Sequence, residues 1–179
     1  MNDNTVLKAI RDIIVTGMVD DSVLVVAKQQ PQPQGVPSVP TIFFEKLFDH
    51  RYGWPKTDYV SINNLPPFAE QVTQKYEMTM QISALSVQDP KTPTQMTASD
   101  LVNKVAMIFT SRTMIGQLLA QGISVLRSTE VRNLYFTDDR DRQEAHPSFD
   151  LVITYEKKAV TGNYGNVTSF NPDGTHPVL

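Results

Sequence analysis

The chain has 179 residues, 40% of them hydrophobic and 20% charged, which is typical of one folded domain rather than a disordered chain. Its net charge of -3 argues against a protein that coats DNA, and the absence of cysteine excludes disulfides, thiolate nucleophiles and thiolate metal sites. No signal peptide and no apolar run of the roughly 20 residues that span a bilayer is apparent, so we expect a protein made in the cytoplasm with no membrane partner.

The first predicted elements are a helix over residues 5–16 and a short strand over residues 22–27. Apolar side chains of the helix fall on one stripe, with charged residues on the opposite face. Asn4 or Thr5 is expected to cap its start, and Gly17 to end it. The run SVLVVA is rich in β-branched residues and predicts a buried strand.

Residues 28–40 (KQQPQPQGVPSVP) interrupt this pattern. Residues 31–40 contain four prolines, which fit neither the interior of a helix nor that of a sheet. The segment is predicted to be an extended, polyproline-like arm that reaches up to roughly 30 Å. Long loops without structure are usually functional, and proline lowers the entropy that is lost on binding. We expect the arm to lie on a neighbouring subunit or partner protein. Its expected contact residues are Gln30, Gln32, Gln34, Val36 and Val39.

Strands are predicted next. Residues 41–48 form one strand, residues 50–56 a turn, and residues 57–62 the returning strand of a hairpin. Residues 63–69, with two prolines, are predicted to break the sheet. From Tyr76 to Ile82 apolar and polar residues alternate strictly, which indicates a strand with one buried face.

Two helical stretches follow. Thr97 and Asp100 have the spacing of a capping box, in which each side chain accepts from the other residue's amide. The first helix is predicted over residues 98–111 and the second over residues 112–121, where Gly122 ends it. The sequence leaves open whether these stretches form one helix or a kinked pair.

The last third of the chain is predicted to be mostly strand. Residues 123–136 are rich in β-formers, residues 137–148 form a mixed-charge loop, and residues 150–157 form the last strand. Mostly sequential strands with helices grouped apart predict an α+β domain over residues 1–160, in which helices pack on one face of an antiparallel or mixed sheet. Residues 161–179 are predicted to be an irregular tail.

No set of residues predicts catalysis. His50, His146 and His176 lie in a predicted turn, loop and tail, and none has the spacing of a metal site. Phosphate-binding loops and nucleophile elbows are absent from the sequence. We therefore expect no catalytic, cofactor-binding or metal-binding residues, no cofactor and no enzyme activity.

Charged and aromatic residues of the loops are the remaining candidates for contact with a partner. Acidic and basic residues are interleaved in the loop after residue 136, which favours a solvated loop over a catalytic carboxylate pair, with ion pairs across a subunit contact as the functional interpretation. The turn HRYGW either anchors a hairpin or touches nucleic acid by stacking and charge. The candidate contact residues from the turn, the loop and the tail are Arg51, Trp54, Asp138, Asp139, Arg140, Arg142, Tyr164 and Phe170.

The order of these features resembles the neck or tail terminator proteins of tailed bacteriophages, over residues 1–160. The resemblance begins with the amphipathic N-terminal helix and the segment SVLVVAKQQPQPQGVPSVPTIFFEKL, and continues through HRYGW and the strand YEMTMQISAL. It ends with the helix TASDLVNKVAMIFTS and the strand SFDLVITYEK.

That resemblance implies a structural virion protein without enzyme activity or cofactor. Such proteins form a ring, commonly of six subunits, at the end of the tail tube or in the neck, and DNA passes through the lumen. The implied partners are further copies of the chain, the tail tube or sheath protein, and a head-side connector, adaptor or portal complex. Two alternatives stay open: a small soluble enzyme with a dispersed polar site, and a nucleic-acid-binding module that uses the turn at residues 50–54.

Overall fold

A computed structural model gives the fold of most of the chain. It describes residues 1–19, 22–28, 38–62, 65–87, 91, 94–137 and 143–164. Several predicted contact residues lie outside these ranges, with most of the arm, the charged loop and the end of the tail. They are Gln30, Gln32, Gln34, Val36, Asp138, Asp139, Arg140, Arg142 and Phe170.

Three helices and a six-stranded mixed sheet make up the described part of the chain, which confirms the α+β prediction. The helices are α1 (Asp3–Met18), α2 (Ala98–Ile108) and α3 (Arg112–Ala120). The strands are β1 (Leu24–Ala27), β2 (Thr41–Ile62), β3 (Leu65–Leu85), β4 (Ile123–Ser128), β5 (Arg132–Thr137) and β6 (Gln143–Tyr164).

The sheet has the strand order β1-β2-β3-β6-β4, and β5 pairs with the first part of β6. Only the pairing of β1 with β2 is parallel among the described strands. The sixth strand therefore lies in the middle of the sheet, between β3 and β4.

The core lies between the helices and one face of the sheet. The alternation predicted for β3 is confirmed, since Met78, Met80 and Ile82 are fully buried. In register beside them on β6 lie three further buried residues, Ile153, Leu151 and Phe149. Buried apolar residues of α1 and α2 complete the cluster. Burying an apolar side chain of this size stabilises the fold by about 1.5–3 kcal/mol.

The ends of α1 differ from the prediction. Asn2, rather than Asn4 or Thr5, caps the helix, and its side chain accepts from the amide of Thr5 at 2.8 Å. The helix also runs past Gly17. A Cβ on Gly17 would lie 2.7 Å from the side chain of Ile108, so this glycine lets α1 and α2 approach closely.

The second and third helices form a kinked pair, which settles the question that the sequence left open. Both halves of the predicted capping box are present: the Asp100 amide donates to Thr97 Oγ1 at 3.1 Å, and the Thr97 amide donates to Asp100 Oδ2 at 3.0 Å. Gly122 follows α3 with φ of 77°, a left-handed conformation that suits glycine. On α3, Leu118 is buried, whereas Leu119 is 61% exposed.

The prediction of a turn at residues 50–56 is wrong. β2 continues through these residues as one long strand, and its hairpin partner is β3 rather than residues 57–62. Gly53 has φ of 71°, and the register with β3 shifts between Tyr52 and Lys56. The glycine and proline thus make a β-bulge, which keeps the strand in the sheet while it adds unpaired residues.

The break predicted over residues 63–69 and the tail boundary at residue 161 also need correction. β3 begins at Leu65 despite the two prolines that follow it. β6 begins at Gln143, inside the predicted loop, and continues to Tyr164, inside the predicted tail. Long-range pairing with β3 and β5 extends β6 at both ends.

β1 is a half-buried edge strand rather than a buried one. Leu24 is exposed and Val25 is buried. The strand pairs in parallel with β2, with Leu24 beside Thr41 and Ala27 beside Phe44. Parallel neighbours need a connection of about a dozen residues, because the chain must return to the same end of the sheet. The length of the segment over residues 28–40 therefore follows from the topology.

Candidate interaction surface

Three strands continue beyond the part of the sheet that the helices cover. The last residue of β6 that pairs with β4 is Tyr155. Past this row β2, β3 and β6 run on as a three-stranded sheet, here called the sheet extension (residues 50–62, 65–77 and 156–164). Among its residues whose burial is described, only Ala69 and Gln74 are buried. More than half of the extension's described side chains are therefore exposed, and most of the others are partly exposed.

The bulge in β2 presents an exposed tryptophan. Trp54 is 96% exposed, and Tyr52, two residues before it, is 59% exposed. Trp54 is the one tryptophan of the chain. Aromatic side chains dominate the energetics of many interfaces, so an exposed tryptophan between Gly53 and Pro55 is a candidate anchor for a partner.

Gln74 fixes the backbone of this bulge. Its side chain is buried, and its Nε2 lies 2.9 Å from the carbonyl oxygen of Tyr52 and 3.1 Å from that of Gly53. These carbonyls leave the regular ladder at the register shift, and the amide group satisfies them as donor. Trp54 is consequently carried on a braced segment rather than on a loose turn.

A polar cluster joins the start of α1 to the base of the extension. Lys46 Nζ lies 2.7 Å from both Asp3 Oδ2 and Asp49 Oδ2, and Lys157 Nζ lies 2.8 Å from Asp3 Oδ1. The hydrogen bonds from Lys157 and then Lys46 hold the pKa of Asp3 at about 2, below its ordinary 3.8. The bond to Asp3 also raises the pKa of Lys157. Four charges thus stabilise each other at this junction.

Aromatic rings support the same junction. The rings of Tyr76 and Tyr155 are stacked with centroids 6.1 Å apart, and Lys157 Nζ lies 4.6 Å from the centroid of Tyr76. The Tyr155 hydroxyl donates to Asp3 Oδ1 at 3.3 Å, while burial raises the pKa of Tyr155. The extension therefore leaves the helical layer at a well-packed point, as an interaction surface requires.

Open clefts flank these elements in the described part of the chain, and two of them adjoin the extension and the edge of the sheet. The larger, of about 800 Å³, lies at the base of the extension and is lined by the cations Arg51, Lys157 and Lys158. A second cleft, of about 450 Å³, lies between α1 and the β1 edge; we call it the α1–β1 cleft. Its lining combines apolar and cationic side chains with one amide. They are Asn4, Leu7, Lys8, Arg11, Val25, Ala27 and Phe44.

The arrangement offers little for catalysis. His50 is exposed, with Nε2 3.8 Å from Glu77 Oε2. His146 is half-buried, and burial together with nearby Lys28 lowers its pKa. Among the described residues, no group of three or more histidine, aspartate or glutamate side chains is placed to hold a metal ion. No helix in the described ranges is long and apolar enough to cross a membrane.

The predicted contact residues that the structure describes do not form one patch. Val39 is 43% exposed beside β2, and Arg51 and Trp54 are exposed on the extension. The backbone of Tyr164 pairs with Phe68 at the end of β6. The extension therefore brings Arg51, Trp54 and the end of β6 into one sheet, and Val39 lies at the start of β2 instead.

Sequence reasoning missed Gln74, Asp3 and Lys157. Each acts through partners that are distant in sequence: Gln74 through Gly53, and Asp3 through Lys157. No local pattern in the sequence indicates such pairs. The one available signal was glycine and proline inside an otherwise β-rich run, which fits a bulge as well as it fits a turn.

An α+β domain whose sheet extends past its helical layer, with an exposed tryptophan on that extension, has a surface suited to contact with other proteins. The comparison with protein families agrees. The family model described as E217 gateway protein gp29 matches residues 5–163. The chain therefore belongs to this family of phage head–tail gateway proteins. Membership supports a phage neck or tail protein, as the sequence resemblance implied, and a structural role in the virion. No curated protein matches the sequence.

Proposed function

We propose that the protein forms a ring of six subunits in the phage neck. This ring joins the tail tube to the head-side connector and lets DNA pass through its lumen. The observation that best supports this proposal is the sheet extension, on which Trp54 is 96% exposed. Apart from Tyr76, which packs against the core cluster, the described residues of the extension lie outside that cluster. The extension suits contact with neighbouring copies or with the tube and connector proteins.

The charge of the chain is compatible with a DNA conduit. At -3 the protein is mildly acidic, and a strongly basic lumen would hold the phosphates and slow passage. The two lysines at the base of the extension are engaged with carboxylates, since Lys46 and Lys157 both contact Asp3. Pairing of this kind leaves less positive charge for binding DNA.

The mass of the purified protein tests the ring directly. Native mass spectrometry and sedimentation should show a closed species of several subunits, and immunogold labelling should place the protein at the neck of the particle. A strict monomer that is absent from purified particles would contradict the proposal. Activity on a small metabolite by that monomer would favour the enzyme alternative.

A test of the arm must preserve the length of the connection between β1 and β2. Shortening residues 28–40 would remove the connection that parallel strands require, so a failed assembly would not distinguish unfolding from a lost contact. Replacing residues 31–38 with glycine and serine at equal length keeps the connection. We expect this variant to fold and to fail in assembly, as judged by melting and by particle yield. Normal assembly would show that the arm contacts no partner.

A further inference from the structure

We propose that Trp54 of one copy inserts into the α1–β1 cleft of the next copy, and that this contact closes the ring. The inference deepens the proposed function and rests on it. The bulge holds Trp54 outside the sheet with 96% of its surface exposed. Gln74 fixes the flanking carbonyls of Tyr52 and Gly53, so little backbone freedom is lost when the indole ring is bound.

The α1–β1 cleft has the chemistry that a tryptophan side chain prefers. Its volume is about 450 Å³, and Leu7, Val25 and Phe44 provide apolar lining. Lys8 and Arg11 supply cations at the same cleft. Tryptophan offers the best aromatic face for a cation, and the attraction grows as the pair is desolvated. A cleft of mixed apolar and cationic lining complements an indole ring, and the exposed Trp54 of a second copy is the indole that this chain supplies.

The geometry forbids this contact within one chain. Phe44 lines the cleft and Trp54 lies ten residues further along β2. At about 3.3 Å per residue the strand separates them by roughly 30 Å. Anchor and cleft are therefore different patches of one molecule. Such a head-to-tail contact makes closed rings when its rotation closes.

The single tryptophan provides its own reporter. Emission of the wild-type protein, excited at the red edge of the absorption band where tyrosine absorbs little, reports on Trp54 alone when it is measured with acrylamide quenching across a concentration series. As the oligomer forms, we expect a blue shift and a several-fold fall in the quenching constant. An oligomer whose tryptophan stays fully quenchable would overturn the inference, because Trp54 would then face another virion protein.

Variants of the anchor and the cleft test the pairing. Trp54→Ala should weaken self-association by at least about 30-fold, the loss that corresponds to a central anchor of 2 kcal/mol. Its matched control is Met107→Ala, which truncates a 70% exposed side chain on α2. Lys8→Glu with Arg11→Glu should weaken association from the other side, and Arg127→Glu, exposed on β4, is the charge control. Melting curves check that all variants fold.

Mixing the two defective proteins tests directly whether the pairing is head-to-tail. The Trp54 variant keeps an intact cleft, and the cleft variant keeps its tryptophan. A mixture should therefore form dimers through the one remaining good contact, although neither protein does so alone. Failure to form that dimer would contradict the pairing.

The oligomeric state and the particle content together separate the contact from the proposed function. A wild-type protein that is monomeric at all concentrations but occurs in particles would overturn the contact and leave the virion role intact. A monomer that is absent from particles would overturn both. Impaired particle assembly by Trp54→Ala with unchanged self-association would assign Trp54 to the tube or connector protein instead.

Discussion

Gln74 holds the backbone of Gly53 across the β2–β3 pair: its Nε2 lies 3.1 Å from the Gly53 carbonyl oxygen and 2.9 Å from that of Tyr52. The buried amide side chain replaces ladder hydrogen bonds where the register shifts. One polar side chain on β3 therefore determines how β2 presents Trp54.

Replacing Gln74 with leucine should loosen the bulge. The two carbonyls lose their donor, and because Tyr52 and Gly53 are exposed, water can replace it; the net loss of a hydrogen bond is then about 0.5–1.5 kcal/mol. Denaturant unfolding of Gln74→Leu should show that loss, and the steady-state anisotropy of Trp54 should fall as the segment gains freedom. Gln71→Leu, on the same strand and only half-buried, is the control and should leave both values near wild type. An unchanged anisotropy would mean that Gln74 does not position the bulge.

Filling the space at Gly17 should destabilise the protein. A Cβ would lie 2.7 Å from Ile108, and overpacking of this kind costs about 1–3 kcal/mol. Gly17→Ala should lower the melting temperature, and it should lower it less in an Ile108→Ala background, which lacks the Cγ1, Cγ2 and Cδ1 atoms that the new Cβ would meet. Gly116→Ala is the matched helix substitution, because nothing lies within 4 Å of its Cβ. It should stabilise by up to about 1 kcal/mol through helix propensity, and an equal loss in both variants would contradict the close packing at Gly17.

The two helix caps of the α2–α3 pair should respond differently to alanine. Thr97 Oγ1 accepts from the Asp100 amide, whereas Ser111 caps α3 without a side-chain hydrogen bond. Thr97→Ala should therefore cost about 1 kcal/mol of unfolding free energy. Ser111→Ala should cost much less. Denaturant titration measures both, and a larger loss for Ser111→Ala would contradict the assignment of the caps.

The Asp3 cluster should make stability depend on acid. The folded protein holds the pKa of Asp3 at about 2 against an ordinary 3.8, so the folded state binds this proton less readily than the unfolded chain. The contribution of Asp3 is present above about pH 4 and is lost as the pH falls toward 2. The hydrogen bond to Lys46 lowers the pKa of Asp49, which faces the same cluster. The contribution of Asp49 to the stability of the fold is therefore also lost as the pH falls.

Comparison of wild type with Asp3→Asn across this range isolates the effect. The difference in unfolding free energy should be largest near neutral pH and should shrink between about pH 4 and pH 2. Asp12→Asn removes a carboxylate that is 52% exposed on the same helix and serves as the charge control. A difference that stays constant throughout this acid range would show that Asp3 acts through packing rather than through its charge.

Local signals in the sequence predicted the parts of the fold that depend on neighbouring residues. The alternation from Tyr76 to Ile82 predicted the buried face of β3, because one side of a strand faces the core. The capping box at Thr97 predicted the start of α2, because its hydrogen bonds span three residues.

Features that depend on distant partners were not predictable in this way. Gly17 suits a helix end, yet its role is to admit Ile108, which lies on another helix. Gly53 and Pro55 suit a turn, yet Gln74 and the ladder with β3 hold them in a strand. Asp3 suits the first turn of any helix, and only the fold brings it to Lys157. For the candidate surface, Arg51 and Trp54 were found from residue type, while the sheet that carries them was not.

The position of β6 has a consequence for the timing of synthesis. β6 comes last among the described strands but lies between β3 and β4, so both of its neighbours leave the ribosome before the strand that joins them. Until β6 emerges, β3 keeps an open edge, and exposed strand edges invite pairing with other chains. We therefore expect nascent chains to be vulnerable to aggregation until residues 143–164 are released. We expect only chains that contain β6 to assemble into the virion. A product truncated before β6 would then not be incorporated into the particle.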